Sequence, residues 1–252
     1  MPLYLDGILW LLLLLGPCLV VQRWLHHEAQ AVFLLLTRRP SLAYLLFALL
    51  FFPGILLHES SQWLAARMLG VRVGRFSLIP RPLEGGRLQL GFVATEKTDP
   101  LRDALIGAAP LFAGGAFVAF AGLQRLMLAQ FWQAARQGGA DAVLEALPAL
   151  YAAPDFWLWL YLTIAVSSTM LPSESDRRAW RPLALFFLLL IALGLLFGAG
   201  PWLLDNLAPV FNRALLALAI VFAISLVVQA LLLIPFFLFH RLLTRLTGLE
   251  VA

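Results

Sequence analysis

The sequence predicts an all-α polytopic membrane protein with about six transmembrane helices and a small β-hairpin. Three observations carry that expectation. The 252 residues are 62% hydrophobic and only 13% charged, with a mean hydropathy of +0.89; soluble domains are about 45–50% apolar and about 25% charged. Apolar runs recur at close to the roughly 20 residues needed to cross a bilayer. One internal stretch alternates polar and apolar residues, the period of a half-buried strand.

The formal net charge of +4 comes almost wholly from arginine, Lys97 being the lone lysine. These charges are spread between apolar runs and form no basic stripe, which speaks for membrane-flanking positions and against nucleic acid as a partner. The lone cysteine, Cys18, lies inside the first apolar run. It excludes an internal disulfide and a cysteine-based metal site, and it reads as a small buried apolar residue.

In chain order, Met1-Pro2-Leu3-Tyr4-Leu5-Asp6 lacks the basic start of a signal peptide, so the first apolar run is expected to be a retained span, Leu5 to Val21. Gln22 to Glu28 reads as a polar interfacial patch with solvated His26 and His27, and residues 31–36 as a short interfacial segment. The second span is expected from Leu42 to Leu69, kinked at Pro53-Gly54 because proline removes a helical hydrogen bond. Gly70 is its expected C-cap. Val71 to Leu78 and Arg87 to Val93 alternate as strands around the Pro80–Gly86 turn. The third span is expected from Leu101 to Met127, its small residues around Pro110 suited to close packing. A short amphipathic helix is expected around Ala140 to Leu150. Further spans are expected at Phe156 to Met170, Pro182 to Leu204 and Ala214 to Phe239. Gln229, in the last, calls for an interhelical hydrogen bond. Six spans would put both termini on one side. The arginines concentrate on the side of the hairpin and the Asp176 loop, which the positive-inside rule makes cytoplasmic, with His240 at the cytoplasmic end of the last span and His26 and His27 on the opposite side.

One stretch carries chemistry: His58-Glu59-Ser60-Ser61-Gln62, inside the second apolar run. Ionisable side chains at membrane depth are expensive and mark functional sites by default. The spacing is that of the zinc helix H-E-x-x-H, in which two histidines four apart share a helical face and the glutamate acts as general base. Gln62 occupies the position of the second histidine. An amide oxygen is a weak zinc ligand beside imidazole.

These residues, the continuation Ala65 to Gly70, the hairpin, and Ser168-Thr169-Met170-Leu171-Pro172-Ser173-Glu174-Ser175-Asp176 together resemble the site-2 protease family of membrane-embedded zinc metalloproteases. The resemblance covers residues 42–180 and implies a core of three spans, flanked by an N-terminal part (1–41) and two C-terminal spans (181–252). It implies His58 and Asp176 as zinc ligands and Glu59 as general base, with Gln62 at the place of the missing ligand and Ser168 where the family carries asparagine. The leading expectation is therefore a pseudoprotease in a bacterial-type inner membrane, which binds a transmembrane segment or serves as a subunit of a membrane complex. In that reading Glu59 needs a partner, expected among His58, Arg67, Arg177 and Arg178. The alternative is an active zinc-dependent intramembrane endopeptidase that cleaves transmembrane protein substrates. A transporter is disfavoured, because no pair of corresponding interrupted helices is evident.

Overall fold

A computed structural model describes residues 6–78, 81–82, 88–89, 91–96, 98–130, 133, 141, 145, 148, 154–173 and 176–248. The Pro80–Gly86 turn lies largely outside the described residues, as does most of the expected 140–150 helix. The described chain is almost entirely helical. Its long helices are α1 (Asp6–Thr37), α4 (Pro100–Arg125) and α7 (Gly200–Thr247), each long and apolar enough to cross a membrane. Between the first two lie α2 (Pro40–Leu50) and α3 (Phe52–Met68), bent by 74° from one another. Helices α5 (Phe156–Ser167) and α6 (Trp180–Leu196) are shorter.

Helix α1 runs without a break through the expected interfacial patch. Leu25 and Ala29 are fully buried there and Glu28 nearly so, because this half of α1 packs against α2 and α7 instead of leaving the bilayer. His26 is wedged against the rings of Phe47 and Phe51, with centroids 5.2 and 5.3 Å away. The expectation of solvated histidines fails at His26 for that reason. At Phe51 the bend comes two residues before Pro53, close to the kink that proline predicts.

Helices α1 and α7 run parallel. The Gly7 amide at the start of α1 donates to Asn212 Oδ1 early in α7. Towards the other ends, Trp24 meets Phe237 and Glu28 meets His240. In a chain of six alternating spans, the first and last would run antiparallel with both termini on one side. The parallel pair corrects that expectation, and it corrects the placement of His240 opposite His26 and His27: the rings of His27 and His240 are 6.4 Å apart. Residues 182–204, expected as one span, are not one helix either. They are divided by a break at Phe197–Ala199, where Gly198 adopts φ +80, and the chain then continues directly into α7.

The core gathers Cys18 and Leu25 from α1, Phe47 and Phe51 around the bend, Val118 from α4, Ile164 from α5 and Val228 from α7. Gly54 lies against the carbonyl of Ala165 and the Thr169 hydroxyl, leaving no room for a Cβ; α3 therefore lies directly on the end of α5. The hairpin follows α3. Its strands β1 (Val73–Ser77) and β4 (Phe92–Thr95) pair antiparallel, and β2 (Arg81–Pro82) pairs with β3 (Leu88–Gln89) nearer the tip. The strand expectation thus holds over a shorter length.

Candidate functional site

The residues Ser167 to Asp176, where α5 ends and the chain turns towards α6, receive polar side chains from three helices. Helix α3 presents His58 and Gln62, four apart and on one face. His58 Nδ1 donates to the Thr169 carbonyl at 2.7 Å, which assigns the proton to Nδ1 and leaves the Nε2 lone pair facing inward. That lone pair lies 3.4 Å from Gln62 Nε2 and 3.6 Å from Asp176 Oδ2. Gln62 Nε2 also donates to Asp176 Oδ1 at 2.9 Å. From α1, Gln22 Nε2 donates to the Ser168 carbonyl at 2.6 Å, and from α7, Gln229 Nε2 donates to Ser167 Oγ at 3.2 Å. Gln229 thus makes the interhelical bond its sequence position calls for.

The segment is irregular for local reasons. Pro172 has no amide proton with which to extend α5. Ser173 and Asp176 then close a turn: the Ser173 amide and hydroxyl both donate to Asp176 Oδ2 at 2.7 Å, and the Asp176 amide donates to Ser173 Oγ at 3.4 Å. This S-x-x-D pattern before an apolar run was legible in the sequence and supplies Asp176 with a structural duty. Burial alone would raise the Asp176 carboxyl, and the hydrogen bonds from the Ser173 amide and hydroxyl oppose that rise.

Glu59, one residue on from His58, points elsewhere. It is 6% exposed and backs onto Gly91 at the start of β4, where a Cβ would fall 2.8 Å from its side chain. Its Oε2 has no hydrogen-bond partner among the described residues. The expected cationic partners are engaged otherwise: Arg67 lies over the Trp63 ring, Arg177 donates to the Ser173 carbonyl and Arg178 pairs with Asp103. Sequence reasoning missed Gly91, Thr169, Ser173 and the part Gln22 plays. Only Ser173 carried a readable signal.

The arrangement can be tested against zinc. Ligand atoms on a tetrahedral zinc lie about 3.3 Å apart, given metal bonds of about 2.0–2.1 Å. The 3.6 Å separation of His58 Nε2 and Asp176 Oδ2 is close to that edge. The donor set nevertheless falls short. Catalytic zinc takes three strong protein ligands, and His58 and Asp176 are two. Both Asp176 oxygens are already held, Oδ1 by Gln62 and Oδ2 by Ser173. Among the described residues, no group of three histidine, cysteine, aspartate or glutamate side chains is placed to hold a metal. The residues do not fit a resident catalytic zinc.

Comparison with protein families, curated proteins and solved structures finds no match for this chain.

Proposed function

We propose that this chain is a site-2-protease-like pseudoprotease: a membrane protein that keeps the helix and loop of a zinc site but closes them with a carboxamide. The observation that carries the reading is the 2.9 Å hydrogen bond from Gln62 Nε2 to Asp176 Oδ1. At the position of a third ligand, the chain places a neutral group whose donor satisfies the carboxylate that a cation would otherwise neutralise. The remaining role is binding, either of a transmembrane segment of another protein or of partner subunits within a membrane complex. A bacterial-type inner membrane suits the apolar spans and the arginine flanks.

The test is metal content. The native chain, purified from zinc-supplemented cells, should carry far less than one zinc per chain. About one per chain would overturn the reading. It would favour the alternative, an active zinc-dependent intramembrane endopeptidase, for which one observation speaks: the bare Nε2 of His58 faces Asp176 at nearly ligand spacing.

The topology proposed with this reading follows the parallel pair. With α1 and α7 both crossing, their outer ends lie on opposite faces of the membrane. Cysteines introduced at Asp6 and Thr247, in a chain whose buried Cys18 is replaced by alanine, should label from opposite sides. Labelling of both from one side would contradict it.

A further inference from the structure

Pro172 and Ser173 deprive two consecutive carbonyls at the end of α5 of their ordinary helical partners. In a helix continued past Ser167, the Ser168 carbonyl would accept from the amide four residues on. That residue is Pro172, which has no amide proton. The Thr169 carbonyl would accept from the Ser173 amide, which is given instead to Asp176 Oδ2 at 2.7 Å. Side chains from two different helices supply the missing donors. Gln22 Nε2 on α1 reaches the Ser168 carbonyl at 2.6 Å, and His58 Nδ1 on α3 reaches the Thr169 carbonyl at 2.7 Å. One residue earlier, the fully buried Gln229 on α7 donates from Nε2 to Ser167 Oγ at 3.2 Å.

The bond that orients His58 therefore lands on a strip of backbone whose preceding carbonyl is held by Gln22. A buried carbonyl left unpaired costs at least as much as the hydrogen bond made by its neighbour. Without Gln22 the strip would turn to satisfy Ser168, and the Thr169 carbonyl would turn with it. We propose that Gln22 is a positioning residue of the candidate site. Acting through the end of α5, it keeps the Nε2 lone pair of His58 directed at Asp176, while Gln229 steadies the same strip from α7. Helix α1 lies outside residues 42–180, so the N-terminal helix belongs to the frame of the site and is more than an added anchor. The inference rests on reading His58, Gln62 and Asp176 as the functional arrangement, but not on whether that arrangement takes a metal.

The test is the imidazole nitrogen chemical shifts of the full chain labelled at histidine, in zinc-free buffer, which separate a protonated ring nitrogen from a bare one. Native His58 should carry its proton on Nδ1. Gln22→Met keeps the reach of the side chain and removes the donor. In that variant the His58 resonances should shift or divide between two tautomers, while His240, paired with Glu28 on α1, keeps its own. Leu25→Ala is the control for packing alone, because Leu25 is fully buried on α1 and its side chain makes no hydrogen bond. It should lower the unfolding temperature and leave His58 unmoved. Unchanged His58 resonances in Gln22→Met, or an equal change in Leu25→Ala, would overturn the proposal. So would a native His58 with its proton on Nε2, a result that requires no variant to fold. Zinc in the native chain would end the pseudoprotease reading and leave this one standing.

Discussion

Among the described residues, two largely buried histidine and carboxylate pairs are built differently. His240 on α7 and Glu28 on α1 touch directly, Nδ1 to Oε2 at 2.5 Å, and the second Glu28 oxygen accepts from Trp24 Nε1 at 2.9 Å. His58 and Asp176 stand 3.6 Å apart with the Gln62 amide bonded to one and near the other. The first pair is closed on itself and ties two long parallel helices together. The second is held open by a third side chain, with each member also tied to backbone. The first pair serves packing, whereas the second leaves space between its members that the Gln62 amide occupies. Composition alone would have ranked the two alike.

The comparison is broken most sharply by deleting the histidines. His240→Leu leaves the buried Glu28 side chain without its partner on α7, a loss of about 3 kcal/mol. His58→Leu should cost about 1 kcal/mol, because Asp176 keeps Ser173 and Gln62. Thermal unfolding in detergent measures both, and the reverse order would show that the roles are exchanged. Next in size is Gly54→Ala, which forces α3 away from the Ala165 carbonyl and should cost about 1–3 kcal/mol. The same substitution should loosen the His58 to Thr169 hydrogen bond, visible as altered imidazole chemical shifts; unchanged stability and shifts would refute the close approach. Smallest is Gln62→Leu, with an expected loss of about 1 kcal/mol from the freed Asp176 oxygen. A loss as large as that of His240→Leu would make Gln62 part of the structural frame and remove the distinction between the pairs.

How much of this was legible in the sequence depends on the range of each signal. The membrane class, the kink near Pro53 and the short hairpin follow from composition, proline chemistry and alternation, all local properties. His58 and Gln62 were readable together because the motif spacing is local on α3, whereas Asp176 was singled out only by the resemblance of Ser168–Asp176 to a family motif. The path of the chain was not. The polar patch from Gln22 to Glu28 looks like a helix end until Phe47, Phe51 and His240 are brought against it, and those residues are remote in sequence. The parallel pairing of α1 with α7 has the same origin. The break at Gly198 is hidden likewise, because the sequence is apolar on both sides of it. Glu59 illustrates the converse: its neighbour Gly91 is a residue that sequence patterning gives no reason to single out.

If Gln62 is the residue that keeps this arrangement from being a metal site, Gln62→His should make it one. The substitution restores an i, i+4 imidazole pair on α3, and with Asp176 it completes three protein ligands on one side of the segment. The measurement is zinc per chain in the purified substituted protein, taken beside the native chain from the same zinc-supplemented growth. The account predicts a rise from far below stoichiometric to about one. Equal occupancy in the two chains, whether near zero or near one, would contradict it.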